Sequence, residues 1–359
     1  MLQRLLNECV LTVELIVSGR LLVQEPREKT EERVKELPKA ERAARPVRTR
    51  RPDGSWSIYL PGASLKGALH AQAERIARTL NEHGAGACDP FAVIPRDGSL
   101  PPADLACSER IKIRQRYHER RRREEPGARE LTIPQRYRDV CPICRTFGHL
   151  GWGRRLRITD FYPVEEPIFM EVTHIGVDRV GGGMSAPYEG GGNYGSGRTF
   201  RLQYTYKVRL RGQIILENFE LWQLGLLGFL WQDMADGLLP VGHRQTTGTG
   251  DLRPHLVEMR LTRLGPSRPT DGELRGVGAL FDGAETYGYD PEADVLPWPE
   301  LHWTRPADQI RWEARLDEPA AQRLWAALAP RTAAVLRDHR WPDAMQPERI
   351  ARLAGEEAP

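Results

Sequence analysis

The sequence predicts an α+β fold in which an antiparallel sheet is backed by two helices. Several segments alternate apolar with polar residues, as half-buried strands do, whereas two longer segments carry apolar residues at helical spacing. These elements follow one another as strand, loop, strand and helix, then strands, a second helix and a final strand. The 359 residues show no internal repeat and suffice for one large core or two domains.

The first half of the chain begins with a predicted strand over Val10–Val23, where alternate residues are apolar. Residues 27–51 are rich in both charges and predict a long solvated loop. A short strand over Trp56–Leu60 follows, and Ser64 is a candidate cap for a helix that reaches Glu82. Residues 84–150 are rich in Pro, Gly and Arg and are predicted to be irregular.

The second half resumes with predicted strands and ends in an acidic tail. Residues 218–236 are apolar on nearly every side and predict a buried helix. After Gly265, Pro, Trp and acidic residues dominate, with helical pieces near 319–329 and 347–354. The strands predicted in this half are Leu156–Phe161, Ile168–Val172, Phe200–Leu210 with its extension Gln213–Leu216, and Leu256–Leu261.

The net charge of +3 conceals a gradient along the chain. Residues 265–359 hold 11 Arg and 17 acidic residues, a net of −6, so residues 1–264 carry +9. Most of the cations are Arg, whose planar guanidinium suits phosphate, although a GC-rich genome would produce the same bias. The sequence has no run of eighteen apolar residues and no recognisable signal peptide, which favours a cytoplasmic protein without a membrane span.

Five cysteines occur, and an odd number without a secretory signal argues against a disulfide framework. Cys9 precedes an apolar strand and is predicted to lie in the core. The other four are predicted to bind a structural Zn²⁺, which takes soft ligands in a tetrahedron. A redox role for the C-x-x-C pair is disfavoured, because the pair is not predicted to open a helix in a βαβ unit. The predicted ligands are Cys88, Cys107, Cys141 and Cys144, with His83, His118 or His149 as an alternative for one of them.

Residues 59–67 read Tyr-Leu-Pro-Gly-Ala-Ser-Leu-Lys-Gly and combine a strand end, a tight turn and a helix start. Backbone N–H groups at the helix start, the Ser64 hydroxyl and the Lys66 ammonium are suited to bind an anion such as a phosphate. The alternative is an ordinary capped helix with one solvated lysine.

This nonapeptide resembles the P-G-S-S-L-K-G signature of the RAMP superfamily, the RNA-binding proteins of CRISPR systems, and in particular the backbone subunit of type III effector complexes. Residues 141–160 resemble the family's C-x-x-F-G … S-R-L-x-V-x-D strand entry, and residues 177–200 resemble its I-D-R-x-T-G … F thumb. Residues 238–250 resemble its L-G-G-x-x-S-R-G-x-G loop, with Thr-Thr where Ser-Arg is usual. The four motifs occur in the family's order.

The resemblance implies a ferredoxin-like, RRM-like palm with two backing helices, a thumb loop over 178–200 and a Cys-rich zinc insertion over 84–150. In the family the guide crRNA lies across the palms of successive subunits, so the implied partners are crRNA, target RNA and neighbouring effector subunits. Such binding is mostly to the RNA backbone and is therefore salt-sensitive. The alternative for the Gly-rich thumb is a disordered surface loop. The implied RNA-binding residues are Ser64, Lys66, Arg179, Met184, Arg198, His243, Arg244 and Thr247.

In the family, an Asp in the loop before the P-G-x-S-L-K-G turn supports metal-dependent cleavage of target RNA. Ala44 occupies that place here, and Glu41 and Asp53 are the nearest carboxylates. We therefore expect a structural, guide-RNA-binding subunit of an antiviral interference complex, without cleavage activity of its own. The alternative is an endoribonuclease that uses Mg²⁺ and one of these two carboxylates.

The resemblance covers residues 10–261, which predicts an RNA-binding domain over 1–264 and a C-terminal extension over 265–359. A third hypothesis makes the chain a terminal cap or adaptor that docks a protein partner through tryptophans of this extension. The tryptophans of the extension are Trp298, Trp303, Trp312, Trp325 and Trp341.

Residues 110–123 hold eight basic side chains, which indicate either a solvated disordered run or an electrostatic contact to RNA or a neighbouring subunit.

Overall fold

The computed structural model confirms a mixed α+β protein in which the paired strands of the described residues are antiparallel. It describes residues 4–25, 45–95, 99–125, 130–151, 153–175, 199–306 and 310–355. The strands are β1 (Asn7–Val17), β2 (Arg20–Leu21), β3 (Arg48–Arg50), β4 (Trp56–Ile58), β5 (Leu156–Ile158), β6 (Tyr162–Pro163), β7 (Ile168–Ile175), β8 (Thr199–Tyr206), β9 (Arg209–Glu217), β10 (Leu252–Leu264), β11 (Glu273–Arg275), β12 (Val295–Pro297) and β13 (Arg311–Leu316). The helices are α1 (Gly62–Leu80), α2 (Cys107–Glu124), α3 (Ile133–Arg138), α4 (Pro142–Phe147), α5 (Leu221–Ala235), α6 (Glu318–Asp338) and α7 (Pro347–Gly355).

The main sheet has the strand order β13-β10-β1-β9-β5, and β6 also pairs with β9. The alternation in β1 places Cys9, Leu11, Val13, Leu15 and Val17 on one buried face. Their partners across the ladders of β9 and β10 are mostly apolar and point to the same face. The buried sides of α1 and α5 join this hydrophobic core. The predicted helices over 64–82 and 218–236 are thereby confirmed.

Helix α5 is buried on nearly every side because it packs against α6 along its length and also against α1 and β10. The two helices approach closely at Gly225 and Gly228. A Cβ atom at Gly225 would lie 2.1 Å from Oγ1 of Thr332, and one at Gly228 would lie 2.6 Å from the Trp325 side chain. Glycine at both positions is therefore a packing requirement.

The C-terminal residues belong to the same core as the rest of the chain. Strand β13 pairs with β10 and so extends the main sheet, and α7 packs against α2. Trp303, Trp325 and Trp341 are buried against this core. These three side chains are consequently not available to dock a partner, which weakens the adaptor hypothesis.

Two predicted strands are each divided in two by the structure. The strand predicted over 10–23 breaks at Ser18-Gly19, so that β1 stays in the main sheet and β2 joins β8. The strand predicted over 200–210 breaks at Lys207, whose φ of 43° is left-handed and ends the extended conformation. As a result β8 lies in a small sheet of order β2-β8-β7, whereas β9 lies in the main sheet.

The prediction that residues 84–150 are irregular is wrong, because this segment contains α2, α3 and α4. The side chains that α2 buries include Arg110 and Arg114 as well as Ile111 and Ile113. Two charged residues on the inner face erase the apolar periodicity by which a helix is recognised. Among the described residues, no helix is both long and apolar enough to cross a membrane.

Candidate nucleic-acid interface and metal centre

Four cysteines form a compact thiol cluster inside the segment 84–150. The Sγ atoms of Cys88, Cys107, Cys141 and Cys144 all lie within 4.8 Å of one another, and every one of these residues is buried. The Sγ atoms of Cys88 and Cys144 are 3.6 Å apart. Ligands 2.3 Å from a tetrahedral zinc ion are separated by about 3.8 Å. The cluster therefore has the dimensions of a four-thiolate metal site, and it is complete without a histidine.

Three of these thiols are held in place by the first residues of two helices. Cys107 is the first residue of α2, and Cys141 caps α4, whose first turn contains Cys144. The backbone N–H of Cys141 donates to Sγ of Cys107 (3.2 Å), and that of Cys144 donates to Sγ of Cys141 (3.4 Å). Burial acts to raise the pKa of the Cys141 thiol, but hydrogen bonds within the cluster hold this pKa well below its ordinary value. Cys141 is thus favoured as the thiolate, the form that binds metal, whereas burial raises the pKa of Cys107 and the neighbouring thiols raise that of Cys144.

Cys141-x-x-Cys144 opens the short helix α4 in a segment that was predicted to be irregular. Helix α4 follows α3 and not a strand, so the pair is not part of a βαβ unit. What distinguishes it from a redox motif is its surroundings, since two further buried thiols complete a four-ligand set. Four converging thiolates indicate a structural metal site rather than a dithiol that exchanges with a disulfide.

The P-G-A-S-L-K-G turn is locked against the end of β5. A Cβ atom at Gly62 would lie 2.4 Å from the carbonyl oxygen of Ile158, so only glycine fits there. The backbone N–H of Gly62 donates to Oδ1 of Asp160 at 2.8 Å. Asp160 is the last residue of the C-x-x-F-G … D motif, and this bond explains why the two motifs occur together.

Lys66, in the first turns of α1, contacts the metal-cluster segment. Its Nζ donates to the carbonyl oxygen of Phe147, the last residue of α4, at 2.9 Å. Partial burial, and next the charge of Arg154, lower the pKa of Lys66. An ammonium group has three donors, so this bond leaves capacity for a phosphate. The prediction that Ser64 caps α1 is wrong, because the helix already begins at Gly62 with Pro61 at the cap position, and Ser64 lies half-buried in the first turn.

The glycine-rich loop over 241–250 is closed on itself and held against the residues next to β2. The N–H of Val241 donates to the carbonyl of Gly250, and the N–H of His243 donates to that of Leu22. Gly242 and Gly250 have φ values of 101° and 87°, which side-chain-bearing residues rarely adopt. Residues 243–248 are consequently presented at the surface, with His243 and Thr247 exposed and Arg244 half-buried.

Three residues that the sequence analysis did not single out lie beside Arg244. The guanidinium of Arg20 is 5.3 Å from the centre of the Tyr204 ring, and the Tyr204 hydroxyl is 2.9 Å from Nε2 of His174. Desolvation, and then the charges of Arg244 and Arg20, lower the pKa of His174. In the sequence, only the alternation that predicts a strand around Tyr204 points to this group. The contacts join three separate strands and a loop, so no local pattern reveals them.

These segments meet at one end of the main sheet. Strands β1 and β5 run towards this end, whereas β9 and β10 start from it. The P-G-A-S-L-K-G turn packs on the residues that follow β5, the hairpin of β7 and β8 precedes β9, and the glycine-rich loop precedes β10. Strands β10 and β5 are three strand spacings apart, or about 14 Å. The P-G-A-S-L-K-G turn and the glycine-rich loop therefore lie at the same end of the main sheet.

Several predicted site residues fall outside the described residues: Glu41, Ala44, Arg179, Met184 and Arg198. Asp53 is described, and it lies in the exposed turn between β3 and β4. Its Oδ1 accepts from the backbone N–H (2.8 Å) and the hydroxyl (2.6 Å) of Ser55, and these bonds lower the pKa of Asp53. The observed role of Asp53 is to close this turn.

Comparison with models of known protein families identifies the family of this chain. Residues 42–253, more than half of the chain, match the RAMP superfamily. The chain belongs to the RAMP superfamily. RAMP proteins are CRISPR-associated proteins that bind or process RNA. The match includes the P-G-A-S-L-K-G turn, the cysteine cluster and the glycine-rich loop of this RAMP protein. No curated protein matches the chain.

Proposed function

We propose that this RAMP protein is a guide-RNA-binding structural subunit of a multi-subunit, type III-like CRISPR interference complex that targets RNA. The observation that carries the proposal is that the P-G-A-S-L-K-G turn, which contains Lys66, and the glycine-rich loop, which contains Arg244, lie at the same end of the main sheet, called here the basic edge. Arg20, Tyr204 and His174 add cationic and aromatic groups beside Arg244. Such groups bind phosphates and stack on bases.

The strand order supports a palm of the kind that RAMP proteins share. Along the chain, β1, α1, β5, β9, α5 and β10 follow the βαββαβ order of a ferredoxin-like unit. In space their strands are ordered β10-β1-β9-β5, so each strand–helix–strand unit encloses a strand of the other. We take this four-stranded part as the palm, and residues 178–200, which follow β7 in the chain, as the thumb.

Binding at this edge is expected to depend on phosphates rather than on base identity. Lys66 and Arg244 are long cationic side chains near turns, and such side chains contact phosphates, which carry no sequence information. The guide would therefore be held independently of its sequence, target RNA would be bound by base pairing with the guide, and neighbouring subunits would continue the groove.

The metal proposed for the cluster of four buried cysteines is Zn²⁺, because zinc prefers four thiolate ligands in a tetrahedron.

Removing one cation at a time tests this interface. We expect Lys66→Ala, Arg179→Ala and Arg244→Ala each to weaken RNA binding and to reduce the slope of log K against log salt by about 1, since each removes one phosphate contact. The measurement is fluorescence anisotropy with a labelled RNA over a range of salt concentrations. Arg337→Ala, at the exposed end of α6, is the matched control and should leave both quantities unchanged. Unaltered affinity and slope in all three variants would refute the interface.

The position of Ala44 leads to an expectation about cleavage. A methyl side chain supplies neither a general base nor a metal ligand, so the assembled complex should bind complementary RNA and leave it uncut at this subunit, even with excess Mg²⁺ or Mn²⁺. The measurement is a gel of end-labelled target RNA. Periodic cuts that Glu41→Gln or Asp53→Asn abolishes would instead establish the endoribonuclease alternative. Ala44→Asp should gain cleavage if this loop follows the family's path.

A further inference from the structure

Helix α2 carries two sets of cations with different roles. The first set points inward and anchors the helix. The fully buried guanidinium of Arg110 donates to the carbonyl oxygens of Leu105, Ala103 and Met345, and stacks 4.4 Å from the Trp341 ring centre. One turn later, Arg114 pairs with the buried Asp139. With Cys107 in the thiol cluster, these contacts fix the first half of α2 rigidly.

The second set points outward and continues past the anchored half. Lys112, Arg116, Arg120 and Arg123 are spaced by four, four and three residues, so they lie within about 80° of one another around the helix. Lys112, Arg116 and Arg123 are exposed and Arg120 is half-buried. We call these four residues the basic stripe. It faces away from the inward side chains at 110, 111, 113 and 114.

The dimensions and charge of the basic stripe suit a phosphodiester backbone. From residue 112 to residue 123 the helix rises about 16 Å, a length of duplex axis over which one strand carries about five phosphates at about 3.4 Å of axis each. Helix α2 contains eight Lys or Arg and three Glu, a net charge of +5. Ion pairs such as that of Lys112 with Glu109, at 3.7 Å and exposed, contribute little and are easily exchanged for phosphate contacts.

We propose that the basic stripe of α2 is a second, sequence-independent binding surface for the RNA backbone, separate from the edge of the main sheet. The proposal rests on the proposed RNA-binding function and adds a contact that the predicted site residues do not include. Because the first half of α2 is anchored, the stripe projects from an ordered backbone, so little backbone entropy is lost when its cations bind. The bound strand is either the guide itself or a target paired with it, since both offer the same phosphates.

The test is a variant with Lys112, Arg116, Arg120 and Arg123 all changed to Gln, which removes the charges and keeps a similar helix propensity. We expect the slope of log K against log salt to fall by about 3, at about 0.7 per contact, and the affinity at physiological salt to fall about tenfold or more. Binding is measured with the guide alone and with the guide paired to complementary RNA. A loss confined to one arm identifies which strand the stripe contacts.

The matched control removes four exposed arginines elsewhere, with the same change in net charge, and should bind RNA like the wild type. It carries Arg268→Gln, Arg275→Gln, Arg323→Gln and Arg337→Gln. Metal content and circular dichroism verify that the stripe variant is folded. If it is not, the pairs Lys112→Gln with Arg116→Gln and Arg120→Gln with Arg123→Gln are measured instead, each with half the expected change in slope.

The outcomes separate this proposal from the proposed function. If the wild type binds RNA with a steep salt dependence and the stripe variant binds equally well, the basic stripe is not an RNA surface while the proposed function stands. If the wild type does not bind RNA, both proposals fail. If the variant keeps its RNA affinity but loses a neighbouring subunit on co-purification, the stripe binds an acidic protein surface and the proposal is overturned.

Discussion

Cys141→Ser is expected to release the bound metal and to unfold the segment between α2 and α4. Cys141 is both a member of the thiol cluster and the cap of α4, and it accepts the N–H of Cys144. Metal content should fall from one equivalent per chain to below one tenth. We expect the free energy of unfolding to drop by about 3 kcal/mol or more, since structural zinc contributes about 10 to 16 kcal/mol in zinc-finger peptides.

Elemental analysis and chemical denaturation measure the two effects, and Cys9→Ala is the matched control. Cys9 is as buried as the cluster cysteines but lies in β1, on the core face of the main sheet. Its replacement should cost packing energy and leave the metal content at one equivalent. Wild-type protein that contains no metal, and whose cluster thiols all react under native conditions, would disprove the metal site.

The second large effect is expected where α6 covers α5. Gly225→Ala introduces a Cβ atom 2.1 Å from Oγ1 of Thr332. This hydroxyl cannot rotate away without loss, because it is fully buried and donates to the carbonyl oxygens of Trp222 (3.0 Å) or Leu328 (3.1 Å). The helices must therefore separate, and we expect the free energy of unfolding to fall by about 2 to 3 kcal/mol.

Gly67→Ala is the control for this substitution, because Gly67 is also a helical glycine but has open space at its Cβ position. Alanine there should stabilise the protein by up to about 1 kcal/mol through helix propensity alone. Thermal or chemical denaturation of both variants gives the comparison. Equal effects of the two substitutions would mean that α6 does not pack on α5 as described, and that the C-terminal residues are dispensable for the core.

The sequence alone was sufficient wherever a local pattern matched the physical environment of the finished fold. Alternation in β1 and the apolar run of α5 follow directly from burial against one sheet, so both elements were predicted. The four cysteines were identified because thiolate chemistry depends on residue type more than on conformation. The P-G-A-S-L-K-G turn and the glycine-rich loop were recognised through their resemblance to RAMP motifs, and close backbone contacts and left-handed angles explain why glycine is needed at Gly62, Gly242 and Gly250.

Other features depend on contacts between residues that are far apart in the chain, and only the tertiary structure reveals these. Helix α2 was missed because its inner face relies on Arg110 and Arg114, whose partners near residues 345 and 139 no local pattern reveals. Lys207 divides a continuous alternation between two sheets, although nothing in the neighbouring residues demands a left-handed angle there. The basic edge likewise exists only because antiparallel register brings Arg20, Tyr204 and Arg244 together from remote segments. Local sequence determines propensity and burial pattern, whereas charge pairing and register are settled only when the elements pack.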